Sequence, residues 1–459
     1  MMATDFGDIS FLIDKFRERG GDRAFAWHGQ YLTYVELADQ IQHDVEWLVN
    51  ELDVGVGSRV VLLGDFSFRS IPLLLALIAR GAITIPLTET TYTNVRDLLT
   101  EIEPHLVLDV RHATGISSAP LVERGYPQAE IHRLFEILSQ RAVPGLVLFT
   151  SGSSGKPKGV VHDFSRLLTK FHNPRPGLIT LNFLLFDHWG GLNTLLGCLA
   201  SGTLVVFPET RTPHEISQLI EQHRIELLPA TPTFLNMLLI SRAYEQYDLS
   251  SLKLITYGAE PMPETTLVSL KSIFPDLELR QTYGMIELGV MRAKSRSSDS
   301  LWVKLGGEGY QTRVVDGILQ IKAESAMLGY LNAPSPFTDD GYLITGDSVE
   351  QDGEYFRILG RKSDLINVGG QKVYPSEVET VILEIPEVID AVVYGESHVL
   401  TGKIVCADII ISGEFDEAAI RQKVKRHCNS KLQPFMVPVR ISFPKDGFYT
   451  SRLKKRRDR

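Results

Sequence analysis

The sequence predicts an α/β fold in two parts: a large N-terminal domain of mostly parallel sheets with flanking helices over residues 1–360, and a small α+β domain over residues 361–459. Three observations predict it. The 459 residues exceed what a single hydrophobic core usually organises, so at least two domains follow. Short β-branched runs alternate with amphipathic segments from Thr33 onward, the rhythm of strand–helix–strand units that build parallel sheets. After Asp347 the texture changes to short strands and turns.

Taken in order, the large domain opens with the helical pattern YVELADQIQHDVEWLVNEL, followed by a strand in SRVVLLG, a helix in IPLLLALIARG and a strand in AITIPL. The apolar stretch from Ile71 to Leu87 is broken by Arg80 and Gly81 before it reaches the roughly 20 residues of a membrane span, and it reads as a buried helix and strand. Residues Arg111 to Val143 are the least regular and read as a surface crossing with one short helix, IHRLFEILSQR. The alternation returns in LNFLLF, a helix and GTLVVF, then in IELLPA and LKLITYG. The small domain reads as turns, a helix in PSEVETVILEI, strands in AVVYG and IVCADIII, and a helix in DEAAIRQKVKRHC, with a hinge near Gly360 to Asp364.

A formal net charge of -9 argues against a whole-protein grip on nucleic acid or anionic lipid and favours small-molecule chemistry. Cys198, Cys406 and Cys428 lack a CxxC pair, so reduced packing residues are expected rather than a zinc site or disulfides. The N-terminus lacks a basic segment leading into an apolar one, so a cytoplasmic location is expected.

The chemistry is densest at Thr150-Ser151-Gly152-Ser153-Ser154-Gly155-Lys156-Pro157-Lys158-Gly159, which follows an apolar strand. Glycines let backbone N–H groups approach phosphate oxygens, while hydroxyls and lysines add donors and charge. A Walker A loop needs Gly-Lys-Ser/Thr opening a helix, and here Lys156 is followed by Pro157. The bland alternative, a Ser/Gly linker, does not suit a loop bearing two lysines beside a strand.

At this loop the chain resembles the adenylate-forming superfamily of acyl-CoA synthetases, luciferases and peptide-synthetase adenylation domains. Similar segments follow in the family's order: Tyr257-Gly258-Ala259-Glu260-Pro261, Tyr283-Gly284-Met285-Ile286-Glu287, Gly329-Tyr330, Thr345-Gly346-Asp347, and Gly360 through Gly370. The resemblance spans nearly the whole chain and implies a mobile small domain acting as a catalytic lid. It implies that ATP and a carboxylic acid form an acyl-adenylate. Glu287 would hold Mg²⁺, Tyr283 would stack on adenine, the backbone of Gly258, Ala259 and Glu260 would line the base pocket, and Gly284 would belong to the nucleotide site. Asp347 would accept hydrogen bonds from both ribose hydroxyls, with Arg361 as a second ribose contact. Lys454, in the basic tail, takes the place of the family's catalytic lysine, next to Lys455; Arg452 and Leu453 replace the usual Ser-Gly before it. Where the family usually has Thr, this chain has Ile286, and loss of one such donor weakens transition-state stabilisation by roughly 3 kcal/mol if nothing replaces it. Thr150, Ser151 and a water are candidates to replace it.

The same resemblance implies a second step, in which the small domain turns and a pantetheine thiol, from coenzyme A or an acyl carrier protein, attacks the adenylate. Ser363 stands at the usual hinge position, and Gly369 and Gly370 would let the pantetheine arm pass close to backbone. Arg421, Lys423, Lys425 and Arg426 could meet a nucleotide 3′-phosphate or an acidic carrier, or simply form a solvated helix face. The acyl pocket is expected around Asp187, His188, Gly191 and Ile286, with His188 beside the substrate carboxylate. A fatty or aryl acid ranks above an amino acid, although Asp187 matches a position that binds an α-ammonium in peptide-synthetase domains. The alternatives are a stand-alone amino-acid-activating enzyme and a non-catalytic nucleotide-binding relative.

Overall fold

The computed structural model describes residues 6–113, 115–125, 131–151, 156–307, 309–411 and 416–444. Two seven-stranded sheets form the body of the large domain. In the first, the strands Glu278–Gln281, Leu254–Tyr257, Leu227–Ala230, Thr180–Leu181, Val205–Val206 and Arg23–Trp27 run parallel, and Gln30–Thr33 closes one edge antiparallel. In the second, Gly145–Ser151, Ile83–Leu87, Arg59–Leu63 and Leu106–Asp109 are parallel neighbours. Antiparallel strands close both sides of it: Pro157–Asp163 with Gly329–Tyr330, and Leu121–Arg124.

Local chemistry explains the first elements. Thr33 caps the helix Tyr34–Asn50 in a reciprocal capping box with Glu36. That helix packs against Ser70–Ala79, in which every residue is buried, as is every residue of the following strand Ile83–Leu87. The expected surface crossing over Arg111 to Val143 contains an edge strand as well as a helix. Leu121–Arg124 is exposed along its length, and its pairing with Leu106–Asp109 rather than burial makes it a strand.

A third, six-stranded sheet is antiparallel throughout, in the order Ala293–Ser295, Trp302–Leu305, Tyr355–Arg361, Leu343–Asp352, Ile318–Ala323, Tyr310–Val315. From Ile366 onward the strands belong to a separate sheet, Gln371–Val373, Ile366–Val368, Gly402–Ile411 and Val388–His398, with Arg440–Ser442 added parallel to Gly402–Ile411. Its core is its own, built from Ile366, Val378, Ile382, Val405, Ile420 and Val424. The two parts meet where Ser376 Oγ donates to the Leu359 carbonyl (2.7 Å) and Asn236 Nδ2 to the Ile389 carbonyl (3.2 Å). All three cysteines are free and buried, and burial pushes each thiol up to about 11.

Candidate active site

Strand alternation gathers the site. Thr150 pairs with Lys158, Leu148 with Val160 and Leu146 with His162, while Val160 also pairs with Tyr330. Directly opposed residues share a face, so Thr150, Lys158, His162 and Tyr330 stand on one side of the sheet with Leu146, Leu148 and Val160. That side joins the main hydrophobic core. The opposite side, with Val147, Phe149, Val161 and Leu331, packs against Phe135 and Leu138.

The segment 283–288 is laced to that face. His162 Nε2 donates to the Ile286 carbonyl at 2.7 Å, which requires the Nε2–H tautomer because a carbonyl only accepts. Burial pushes the His162 pKa down to about 4, so the ring is neutral. Tyr330 donates its hydroxyl to Glu287 Oε1 at 2.7 Å, and the Lys158 ammonium lies 5.1 Å from the centre of the Tyr330 ring. Met327 N–H donates to the Glu287 carbonyl (2.8 Å) and Ser325 Oγ to the Leu288 carbonyl (2.7 Å). The Ile286 side chain is buried in the same core cluster as Tyr283, Leu288 and Met291.

On the third sheet Asp347 lies directly across from Arg361, which puts Arg361 Nε 2.8 Å from Asp347 Oδ1. The other Asp347 oxygen accepts the Tyr283 hydroxyl. Thr345 Oγ1 accepts from the Asp347 N–H (3.0 Å) and donates to the Leu319 carbonyl (2.7 Å), while Gly346 between them adopts φ +75°, which glycine permits. Burial raises the Asp347 pKa, and Arg361 and Tyr283 oppose that rise. Burial and the neighbouring Asp347 hold the Tyr283 phenol well above its ordinary range. Both Asp347 oxygens, expected for the ribose, are thus engaged by protein partners.

Tyr283 is also tied to the loop after Leu254–Tyr257. Thr282 N–H donates to the Tyr257 carbonyl at 2.7 Å, and a Cβ on Gly258 would come within 2.6 Å of the Thr282 carbonyl. Ala259 adopts φ +71°, and Glu260 accepts from Thr233 Oγ1 at 2.6 Å.

The predicted acyl residues lie at the start of the helix Trp189–Ser201. His188 is its N-cap, accepting from the Gly190 N–H on Nδ1 at 3.1 Å. Asp187 is buried, and its Oδ2 accepts from the Thr88 hydroxyl at 2.7 Å. A Cβ on Gly191 would approach the Leu185 carbonyl to 2.2 Å, so only glycine fits there.

The second-step residues lie in the small domain. Gly369 and Gly370 form the tip of the hairpin joining Ile366–Val368 to Gln371–Val373, at φ +57° and +87°, with open space where a side chain would be. Ser363 sits in the one-turn segment Lys362–Asp364 and donates to Asp364 Oδ1 at 2.9 Å. Of the basic set, Lys423 pairs with Glu387 (2.6 Å) and Arg421 Nε donates to the Ile441 carbonyl (3.3 Å), so these two bind their own domain. Ser151 pairs with Pro157 through its backbone and Lys156 is exposed. Gly152, Ser153, Ser154, Gly155 and Lys454 lie outside the described residues.

Sequence reasoning does not single out His162 or Asn332 as site residues, and Thr345 and Tyr330 enter it only as parts of motifs. Alternation along the strand is the available signal for His162, which stands four residues beyond Lys158 and so on the same face. The meeting of Tyr330 with Glu287 has no local signal, since 43 positions separate them.

Among the described residues no helix is long and apolar enough to cross a membrane, and no group of three or more His, Cys, Asp or Glu could hold a metal. The AMP-binding enzyme family matches residues 13–318, and the AMP-binding enzyme C-terminal domain matches residues 377–452. A 2-succinylbenzoate–CoA ligase of Listeria monocytogenes serotype 4b is 27% identical over 464 aligned positions, covering 94% of each chain. A Mycobacterium tuberculosis propanoyl:CoA ligase, whose acid carries a methyl-dioxo-octahydroindenyl ring system, is also 27% identical and covers 96% of each. The fold matches the anthranilate CoA ligase AuaEII in complex with anthranoyl-AMP, with TM-score 0.80 at 19% identity over 99% of this chain and 96% of that one. It also matches ATP-bound MatB from Rhodopseudomonas palustris, with TM-score 0.73 at 23% identity over 96% of each. With the first family covering two thirds of its length and the second most of its small domain, the chain belongs to the AMP-binding enzyme family.

Proposed function

We propose that the protein activates a ring-bearing carboxylic acid, an aryl acid first, as its acyl-adenylate with release of pyrophosphate, and then transfers the acyl group to coenzyme A. The observation that carries this reading is the convergence of Thr150 and Lys158, Glu287, and the Asp347–Arg361–Tyr283 set around the single segment 283–288. The relatives' names support the ring and coenzyme A: 2-succinylbenzoate in one, a fused ring system in another.

In this reading the strand ends at Thr150 and Lys158 present hydroxyl, N–H groups and charge to the phosphates. Asp347 would exchange its Tyr283 partner for ribose hydroxyls, which would release the Tyr283 side chain to stack on adenine, and Arg361 would stay as the second ribose contact. Glu287 fits Mg²⁺: it is a hard carboxylate with one oxygen steadied by Tyr330, and Mg²⁺ takes one or two such carboxylates together with substrate phosphates. When bound, the ion would neutralise phosphate charge during displacement at the α-phosphorus. His188, the N-cap of the helix Trp189–Ser201, would stand beside the acid's carboxylate. Lys454 would bridge carboxylate and α-phosphate. Ser363 would be the pivot that brings Gly369 and Gly370 to the thiol path, and a cytoplasmic site of action accords with those substrates.

Pyrophosphate exchange over a panel of aryl, fused-ring, fatty and amino acids tests the first half-reaction. Aryl acids should rank first, and a preference for amino acids would overturn the reading. Release of AMP should then require coenzyme A; release only with a phosphopantetheinylated carrier protein would reassign the acceptor. Lys454→Ala should abolish exchange while leaving thioester formation from supplied acyl-AMP.

A further inference from the structure

Tyr330 makes two contacts that point in different directions. Its hydroxyl donates to Glu287 Oε1, and its ring face lies 5.1 Å from the Lys158 ammonium. We infer that Tyr330 is a positioning residue that aims the Glu287 carboxylate with its hydroxyl and seats the Lys158 ammonium on its ring, so that one side chain aligns the metal-binding carboxylate and the phosphate-binding lysine. This rests on the nucleotide and Mg²⁺ reading above.

The backbone makes Tyr330 a firm base for that task. Gly329–Tyr330 pairs antiparallel with Val160–Val161, and the Leu328 and Leu331 N–H groups donate to the Val161 and Gly159 carbonyls, both at 2.8 Å. Asn332 adds a clamp at the end of the loop: its Oδ1 accepts from the Gly159 N–H (3.1 Å) and its Nδ2 donates to the Pro157 carbonyl (2.9 Å). Tyr330 therefore cannot slide along the strand that leaves the phosphate loop. Glu and Lys are among the side chains with most rotamer freedom to lose, so ordering both in advance lowers what nucleotide binding must supply. A ring face attracts an ammonium through its quadrupole without neutralising it, leaving the Lys158 charge available to phosphate.

Calorimetric titration with ATP, in excess Mg²⁺ and in EDTA, separates the two contacts without turnover. Tyr330→Phe keeps the ring and removes the hydroxyl. It should cut the affinity gained from Mg²⁺ about tenfold, the scale of a hydrogen bond to a charged group, and leave the EDTA affinity within about twofold. Tyr330→Leu should in addition weaken binding in EDTA about fivefold, since Lys158 loses its seat. Equal losses in Mg²⁺ and EDTA for Tyr330→Phe, or none, would overturn the inference. Glu287→Gln should remove the Mg²⁺ gain, and adding Tyr330→Phe to it should cost nothing further; additive losses would overturn the coupling and need no folded Tyr330 single variant. A wild-type protein whose ATP affinity ignores Mg²⁺ would overturn the nucleotide and metal reading itself.

Discussion

The residues assigned to the nucleotide and those assigned to the acid differ in how far along the chain their partners come from. On the side assigned to the nucleotide three acceptors are met by partners distant in sequence: the Asp347 carboxylate by Tyr283, the Glu287 carboxylate by Tyr330, and the Ile286 carbonyl by His162. On the acyl side His188 caps its own helix and Asn182 Nδ2 donates to the nearby Gly191 carbonyl at 3.0 Å. Three buried atoms there, Asp187 Oδ1, Asn182 Oδ1 and Trp189 Nε1, have no hydrogen-bond partner among the described residues. Each such atom costs roughly 1–3 kcal/mol. The difference teaches that the part proposed to take ATP is prearranged mainly by long-range contacts. The part assigned to the acid combines local capping with one long-range bond, from the Thr88 hydroxyl to Asp187, and holds buried polar atoms without a partner among the described residues, as the other side does at His162 Nδ1.

Breaking the nucleotide side should have the largest effect. Asp347→Ala removes the acceptor of the fully buried Tyr283 hydroxyl and the partner of half-exposed Arg361, so a loss of about 4 kcal/mol in urea unfolding is expected, together with at least tenfold weaker ATP binding. Retained ATP affinity would show that ribose recognition lies elsewhere.

The next effect is a pH dependence. The folded His162 pKa, about 4, lies below its unfolded value near 6.5, so the folded state binds fewer protons between these values. Its contribution is fully present above about pH 6.5 and is lost as pH falls toward 4, amounting to about 3 kcal/mol. His162→Gln, which keeps an N–H for the Ile286 carbonyl, should flatten the fall in melting temperature across that window. An unchanged slope would rule out His162 as its source.

On the acyl side, Gly191→Ala forces a Cβ against the Leu185 carbonyl and should cost about 2 kcal/mol in thermal unfolding. Smallest is Thr88→Val, which removes the hydroxyl donated to Asp187. A stability loss of about 1 kcal/mol is expected, with a raised KM for the acid and an unchanged KM for ATP. A rise in the ATP value instead would erase the distinction between the two sides.

Much of this architecture is legible in the amino-acid sequence. The helix Ser70–Ala79 and strand Ile83–Leu87 are readable from an apolar run interrupted by Arg80 and Gly81, and the phosphate loop from glycines, hydroxyls and lysines after a strand. The six-stranded antiparallel sheet is not, because strands such as Ala293–Ser295 and Trp302–Leu305 are too short for their pattern to stand out and are defined by pairing. Nor is it legible that Asp347 and Glu287 are held by Tyr283 and Tyr330, or that the Ile286 side chain lies in the main core.

What the sequence determined by itself was the order of motifs, and with it the family and the chemistry, because the residue types that bind phosphate, ribose and metal are short-range signatures. Tertiary structure alone decided which of those groups are already paired. A carboxylate's identity is written in one position, but its hydrogen-bond partner is set by strand register and by the approach of segments tens of residues apart, and no local pattern carries that information.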